Sequence, residues 1–357
     1  HYSAACRAAV QRLLRNGTSL TAYRSSLAHP LGPAEGSWAW KFERLAEQQA
    51  KVKHVIACSS GTMALVAAAK ALNLWDAVTS PFTFSATPAA LHHAGMIVRF
   101  ADVSLNPVGC LDPQRVAQTE GDLVVPVDLF GAVADRRNGL PHRPVIADSC
   151  QAVGAYTGMR SAQIAVWSMN GQKNVPAGEA GAVLTDDEGL ARYVRRYISH
   201  GENWHQLVEP EVGLNGRLNE LTACVAYHGL RDLPQNNARR RRLALELWRL
   251  LKDEDQLLGL LTPRQLLDHA LYVYPFRVSE RVDRAGFVRR LRKLGVDAGE
   301  GYIQPPLHKY PAFAAYASHP LPVVEELSVR SLVLLYHIRP PATLAQMRWT
   351  ARAIRLA

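Results

Sequence analysis

Short apolar runs alternate with longer amphipathic segments along the first two thirds of the chain. The apolar runs have the length of buried strands and lie at residues 55–58, 77–80, 97–100, 123–127 and 144–147. The segments with helical spacing or composition lie at residues 38–50, 62–72, 84–95 and 187–199. Strands that alternate with helices predict an α/β fold, in which helices flank a mostly parallel sheet on both faces.

The pattern changes after about residue 235. One helix is predicted from about residue 217, and a long basic helix follows from about 236 to 252. Beyond it the pattern predicts a strand at 271–278 and helices at 281–293, 323–334 and 342–355. We therefore predict two domains: a large one over residues 1–235, which begins with a short amphipathic helix, and a smaller C-terminal α+β domain over residues 236–357.

A single lysine lies on a turn between two apolar runs. The first run ends at Ser168, the second spans residues 180–184, and the polar turn between them carries Lys173. Lysine is scarce in this chain, with 8 lysines among the 41 basic residues. A lysine amine in a partly desolvated pocket can lose its proton and attack a carbonyl, whereas an arginine guanidinium stays charged. The spacing alone leaves open a surface lysine on a hairpin.

Other polar groups also follow predicted strands, where parallel sheets bind ligands. The turn Ser60-Gly61-Thr62 joins a strand to an alanine-rich helix, which is the geometry that presents backbone N–H groups to an anion. Asp148 directly follows an apolar strand, where a carboxylate is costly to bury unless a cation meets it. Gln151 lies on the same side of the next turn. Ordinary helix N-caps remain an alternative for the turn and for Asp148.

Composition excludes several classes of protein. The chain has 357 residues, and no apolar run reaches the roughly 20 residues that span a bilayer, so no membrane partner is expected. The N-terminal segment does not have the pattern of a signal peptide. Five cysteines without a CxxC pair predict neither a disulfide scaffold nor a metal site, and they favour a cytoplasmic protein. They are Cys6, Cys58, Cys110, Cys150 and Cys224.

The net charge of +10 raises the question of an anionic partner. The one dense basic run, residues 239–242, falls in the predicted long helix and is interpreted as a solvated face. The chain shows no nucleic-acid module, so no nucleic-acid partner is expected. A basic surface would instead favour an anionic small molecule such as a nucleotide-linked substrate.

Several motifs occur in the order seen in one enzyme family, and the chain resembles the PLP-dependent sugar aminotransferases of the DegT/StrS type. The resemblance implies the fold type I architecture of the aspartate-aminotransferase superfamily and pyridoxal 5'-phosphate (PLP) as cofactor. It covers roughly residues 38 to 230, with a further match near the C-terminus. The matching motifs are CSSGTMAL, PFTFSAT, VPVDLFG, IADSCQAVGA, WSMNGQKNVPAGEAGAVLTDD, SHGEN, VGLNGRLNEL and EGYIQPPLHKYPAF.

The resemblance implies roles for residues around the cofactor ring. Lys173 would bind the cofactor aldehyde as an imine and later shuttle a proton. Asp148 would pair with the pyridine nitrogen and keep it protonated, so that the ring can take up electrons. Gln151 would approach the phenolic oxygen, and Phe84 would stack on the ring.

Other residues would bind the cofactor phosphate. Ser60, Gly61 and Thr62 would do so at the start of a helix, together with Ser168. Asn215 would reach the phosphate of the neighbouring subunit's cofactor, which implies a homodimer with shared active sites. The closing motif implies that His308 and Tyr302 line the substrate side.

The implied activity is transfer of an amino group from an amino acid, with glutamate the expected donor, to a keto-sugar. The sugar would most often be nucleotide-linked, in amino-sugar or antibiotic biosynthesis. The alternatives are a cyclitol ketone as acceptor, or a PLP-dependent sugar dehydratase, although that branch has histidine in place of the lysine. Three departures from the family pattern leave local questions open. They are Ala180 where glycine is usual, a short segment between Thr62 and Phe84, and the sequence LLYHIRPP near the C-terminus.

Overall fold

The computed structural model describes residues 2–17, 19–21, 32–136, 142–155, 162–201, 212–336, 338 and 341–357. The helices are α1 (Ala4–Arg15), α2 (Trp38–Ala50), α3 (Gly61–Leu72), α4 (Ala86–His93), α5 (Pro113–Ala117), α6 (Glu188–Tyr197), α7 (Glu220–Leu251), α8 (Pro263–Leu267), α9 (Arg284–Lys293), α10 (Pro322–Glu326) and α11 (Leu344–Leu356). The strands are β1 (His54–Cys58), β2 (Asp76–Thr79), β3 (Ile97–Phe100), β4 (Val103–Leu105), β5 (Val108–Leu111), β6 (Leu123–Val124), β7 (Ile146–Asp148), β8 (Ile164–Ser168), β9 (Gly181–Thr185), β10 (Leu257–Leu258), β11 (Tyr274–Val278), β12 (Ala298–Gly299) and β13 (Leu332–Leu335).

The larger sheet has the strand order β3-β2-β6-β7-β8-β9-β1. Strands β3, β2 and β6 pair in parallel, as do β7 and β8. Parallel bridges from Val124 to Val145 and from Val127 to Asp148 join the two groups. Strand β9 is antiparallel to both of its neighbours, β8 and β1. The prediction of a mostly parallel sheet is therefore confirmed, and the carboxyl ends of β1, β7 and β8 lie along one edge.

Small residues bring α3 close to this sheet. Its alanines Ala64, Ala67 and Ala68 are fully buried, because they pack onto the face formed by β8 and β9. A Cβ at Gly61 would lie 2.7 Å from the Cβ of Ser168, so the start of the helix approaches the end of β8 more closely than any other residue would allow. The alanine-rich composition thus places a helix N-terminus at the strand ends.

The second sheet is antiparallel, with the strand order β10-β11-β13-β12. It packs in a hydrophobic cluster of its own with α7, α9 and α11, and Leu247, Phe276, Phe287 and Met347 are among the buried members. This agrees with a smaller α+β unit. The division into domains at residue 235 stays a prediction, because α7 runs without a break from Glu220 to Leu251.

Two predicted elements differ from the structure. The helices expected on either side of residue 235 form one helix, although Pro234 lies inside it. Its buried positions Leu230, Leu233, Asn237 and Arg240 continue at helical spacing across the proline, so packing along one face sustains the helix.

The helix predicted over residues 323–334 is wrong in its second half. Helix α10 ends at Glu326, a π-helical turn spans Leu327–Ser331, and β13 follows. All four residues of β13 are buried between β11 and β12. An apolar run of this length cannot be distinguished from a buried helix by periodicity, and strand pairing decided the outcome.

Within the described part of the chain, no helix combines the length and the apolar character needed to cross a bilayer.

Candidate active site

The ends of three strands meet at the edge of the larger sheet. After β1, the Ser60 hydroxyl accepts a hydrogen bond from the backbone N–H of Met63 at 3.1 Å and caps α3. The N–H groups of Gly61 and Thr62, in the first turn of α3, have no partner within the helix. A Cβ at Gly61 would lie 3.1 Å from Ser168 Oγ. A helix N-terminus and a serine hydroxyl at the end of β8 thus lie side by side, which is an arrangement suited to a phosphate.

Asp148 ends β7 and is buried, with 4% of its surface exposed. The Thr87 hydroxyl donates a hydrogen bond to Oδ2 at 2.7 Å, and the backbone N–H of Cys150 donates to Oδ1 at 3.2 Å. Among the described residues, no arginine, lysine or histidine forms an ion pair with this carboxylate. A buried carboxylate whose hydrogen-bond donors are neutral is suited to a cationic ligand group.

Lys173 lies on the loop between β8 and β9. Its Nζ is 5.0 Å from the centre of the Tyr272 ring, and its side chain is partly buried. The next residue, Asn174, is buried and donates a side-chain hydrogen bond to the carbonyl of Ala270 at 2.9 Å. Residues 270–272 thus fix the loop from one side, which positions the amine and limits its movement.

Cys150, two residues after Asp148, is affected by the charges of both Asp148 and Lys173. Burial, and next the Asp148 carboxylate, raise the pKa of the Cys150 thiol well above its ordinary value, while the charge of Lys173 acts in the opposite direction. Both groups therefore lie within electrostatic range of the same sulfur. The structure thus brings together the two residues for which the sequence predicted catalytic roles.

Gln151 is buried and forms two hydrogen bonds. Its Oε1 accepts from the backbone N–H of Phe130 at 2.9 Å, and its Nε2 donates to the Tyr302 hydroxyl at 2.8 Å. Burial raises the pKa of the Tyr302 hydroxyl, so the phenol stays neutral over the physiological range. Tyr302, predicted on the substrate side, therefore lies at the site through Gln151.

Other predicted residues lie toward the solvent. Phe84, just before α4, is 56% exposed, and Thr62 is also exposed. Asn215 is exposed, and it pairs by an antiparallel bridge with Ser199.

His308 is the predicted residue that lies apart. Its Nε2 is 3.4 Å from Glu325 Oε1, and no contact among the described residues links it to Lys173 or Asp148. Burial lowers the pKa of His308, against the effect of its hydrogen bond to Glu325. The histidine is therefore neutral at physiological pH, and its described contact is to a residue outside the cofactor site.

Sequence reasoning missed three residues of the site. Thr87 lies within the PFTFSAT motif, which offered a signal, but its bond to Asp148 depends on how α4 packs. Asn174 follows the lysine directly and also offered a signal. Tyr272 falls in a run interpreted only as a strand, and nothing in the sequence links it to Lys173.

The unusual alanine near the lysine loop is accommodated. Ala180 is fully buried in a cluster with Ala57, Ala177 and Ala182, so its methyl group fills space in the core. Its neighbour Gly181 is the position that tolerates no side chain, because a Cβ there would lie 2.2 Å from the carbonyl oxygen of Ser60. Of the other departures, part of LLYHIRPP lies outside the described residues. The short segment between Thr62 and Phe84 contains most of α3, a three-residue connection and β2.

A cavity of about 630 Å³ opens beside the lysine loop. Its polar lining includes three tyrosines and two glutamines, and Asp297 is the one charged residue among the described lining positions. Its lining residues are Gln172, Tyr272, Val273, Asp297, Tyr302, Leu334, Tyr336, Pro341, Ala342 and Gln346.

Comparison with known proteins agrees with this geometry. The model of the DegT/DnrJ/EryC1/StrS aminotransferase family matches residues 23–349. The chain belongs to this family. It is 31% identical over 330 residues to the erythromycin biosynthesis sensory transduction protein EryC1 of Saccharopolyspora erythraea, covering 85% of each chain. It is 28% identical over 348 residues to the UDP-2-acetamido-2-deoxy-3-oxo-D-glucuronate aminotransferase of Pseudomonas aeruginosa, covering 92% of this chain and 90% of that one.

Solved structures show the same fold. The structure of DesV from S. venezuelae in complex with a ketimine intermediate superposes with a TM-score of 0.82 at 26% identity, over 98% of this chain and 93% of that one. The protein is thus a PLP-dependent aminotransferase with the fold of that enzyme class, and the predicted family, fold class and cofactor are confirmed.

Proposed function

We propose that this enzyme transfers an amino group from an amino acid, with glutamate the expected donor, to a ketone on a nucleotide-linked sugar. The observation that carries the proposal is that a buried carboxylate, Asp148, and a loop lysine, Lys173, follow neighbouring strands at one edge of a parallel sheet. The name of the Pseudomonas aeruginosa relative describes amino transfer to a UDP-linked keto-sugar. The net charge of +10 also favours an anionic substrate.

The residues of the site fit PLP, which when bound supplies an aldehyde that condenses with amines and a ring that accepts electrons. Asp148 has only neutral hydrogen-bond donors among the described residues, so it is suited to hold a proton on the ring nitrogen. Lys173 can hold the aldehyde carbon and, once its amine is free, move a proton to or from the substrate carbon. Gln151 can donate to the ring oxygen.

The phosphate would lie at the N-terminus of α3. Gly61 and Thr62 offer backbone N–H groups there, and Ser168 offers its hydroxyl from the end of β8. Ser60 acts by capping the helix, which fixes the direction of those N–H groups. The exposed ring of Phe84 is available to stack on the face of the cofactor. Tyr302 would lie toward the substrate beside Gln151, and His308, whose described contact is to Glu325, stays a predicted substrate residue.

We also propose a homodimer with shared sites and a location in the reducing cytoplasm. The exposure of Asn215 supports the homodimer, since its side chain is available to reach a partner's cofactor. The five cysteines, all free thiols, support the second.

Replacing Asn215 with alanine should weaken cofactor binding by about tenfold or more, because a hydrogen bond to a charged phosphate is lost. The dissociation constant of PLP, measured by absorbance after dialysis, checks this. Gln235→Ala, an exposed amide on α7, serves as the matched control and should leave the constant unchanged. Mixed dimers of Asn215→Ala and Lys173→Ala subunits should regain one tight site, since each subunit supplies what the other lacks. A mixed dimer that binds no better than Asn215→Ala alone would exclude a shared site.

The acceptor can be identified by the half-reaction. The enzyme is first converted with glutamate to its aminated cofactor form, and candidate ketones are then offered while the visible absorbance is followed. We expect a nucleotide-linked keto-sugar to restore the aldehyde form, and a free cyclitol ketone to leave the spectrum unchanged at equal concentration. Restoration by the cyclitol alone would overturn the nucleotide-linked acceptor, while leaving amino transfer intact.

A further inference from the structure

The side chain of Gln151 is locked by groups from two distant parts of the chain. Its oxygen must face the backbone N–H of Phe130, because that group can only donate, and this sets the direction of the amide. Its Nε2 then faces the Tyr302 hydroxyl, 151 residues further along the chain. Of the two N–H groups on Nε2, one is donated to Tyr302 and one remains.

Two contacts, one of its ring and one of its loop, hold Tyr302 in place for this bond. Its ring meets the ring of Phe130 edge-on, with centres 5.6 Å apart. Tyr302 lies in the loop after β12. This loop is hydrogen-bonded to the π-helical turn Leu327–Ser331, because the Gln304 side chain donates to the carbonyl of Ser328. Tyr302 is partly buried and its phenol is neutral, so it can accept from Gln151 without the cost of burying a charge.

Phe130 connects the two sides of this arrangement. It has a positive φ of 60°, which a bulky residue rarely adopts, and its carbonyl accepts a hydrogen bond from the N–H of Tyr272. The backbone that bonds Gln151 is thus fixed by the same segment that contacts Lys173. Each of Gln151, Phe130 and Tyr302 therefore contacts the other two.

We infer that Tyr302 is a positioning residue, which fixes the amide of Gln151 so that its remaining N–H is directed to the cofactor's ring oxygen. The inference rests on the proposed function, because it places the ring beside Gln151. A hydrogen-bond donor at that oxygen favours the cofactor form in which the oxygen carries most negative charge, which is the deprotonated form. A Gln151 amide that is not held by Tyr302 is less well aligned with that oxygen, so it favours the deprotonated form less.

Tyr302→Phe removes only the hydroxyl and keeps the ring contact with Phe130. The pH midpoint of the bound cofactor's visible absorbance should rise by about half a unit to one unit, as expected for one misaligned hydrogen bond. Tyr310→Phe is the matched control, since it removes a hydroxyl that bonds the carbonyl of Gln304 in the same loop. That control should leave the midpoint in place.

A variant that lacks the Gln151 amide shows whether Tyr302 acts through Gln151 or contacts the cofactor directly. In Gln151→Ala, the further change Tyr302→Phe should move the midpoint by less than about 0.3 unit, since the amide through which it acts is gone. An unchanged midpoint in Tyr302→Phe, or an equal shift with and without Gln151, would overturn the inference. If the purified wild-type protein takes up PLP but shows no visible absorbance band, the proposed function is wrong, and this inference is wrong with it.

Discussion

Replacing Lys173 with alanine should lower kcat/KM for amino transfer at least about 10³-fold, because the residue supplies both the amine that holds the cofactor and the base that moves the proton. Lys173→Arg should be equally inactive. Arginine keeps the positive charge over the Tyr272 ring but cannot lose its proton at working pH. Steady-state rates with glutamate and a keto acceptor check both variants.

The chain offers a matched control for this lysine. Lys41 Nζ lies 4.6 Å from the centre of the Trp38 ring, a contact like that of Lys173, but on α2. Lys41→Ala should keep full activity. Borohydride reduction of the PLP-loaded protein should attach the cofactor to the peptide that contains residue 173 in the wild type and in Lys41→Ala, and to no peptide in Lys173→Ala. Attachment to a different lysine, or turnover by Lys173→Ala, would contradict the assignment.

The parallel sheet could be predicted from the sequence because its strands are short apolar runs bounded by polar turns. Once the strands are parallel, their carboxyl ends share one edge, so Asp148, Ser168 and the Ser60 turn had to lie near one another. The smaller unit was less predictable. The run Leu332–Leu335 is apolar at every position, and only its pairing with β11 and β12 distinguishes it from a helix.

The candidate site divides in the same way. Residues that follow a strand directly could be identified, since their position depends on local sequence. The contacts of Thr87 with Asp148, Tyr272 with Lys173 and Tyr302 with Gln151 each join segments at least 61 residues apart. Such contacts depend on how α4 and the smaller unit pack on the sheet, which no local pattern records. His308 lies in a motif that the sequence does identify, but its position in the motif does not determine that its side chain contacts Glu325.

Asp148→Asn should lower kcat/KM by roughly 10²- to 10⁴-fold while the protein still folds. Removing one partner of a buried ion pair costs about 3–5 kcal/mol, and the amide cannot hold the proton on the ring nitrogen. The fold should survive because the Thr87 hydroxyl can turn to accept from the new amide and donate to Thr83 Oγ1, which lies 3.1 Å away. Turnover and the melting temperature are measured on the same preparation.

A second buried carboxylate after a strand of the same sheet separates chemistry from stability. Asp102 is 3% exposed and accepts hydrogen bonds from the backbone N–H groups of Val103, Val323 and Val324. Asp102→Asn should therefore lower the melting temperature and leave turnover per folded molecule near that of the wild type. Asp148→Asn should show the opposite pattern. If it kept full turnover, or lost turnover only in proportion to the folded fraction, Asp148 would be a structural carboxylate and the ring nitrogen would need another partner.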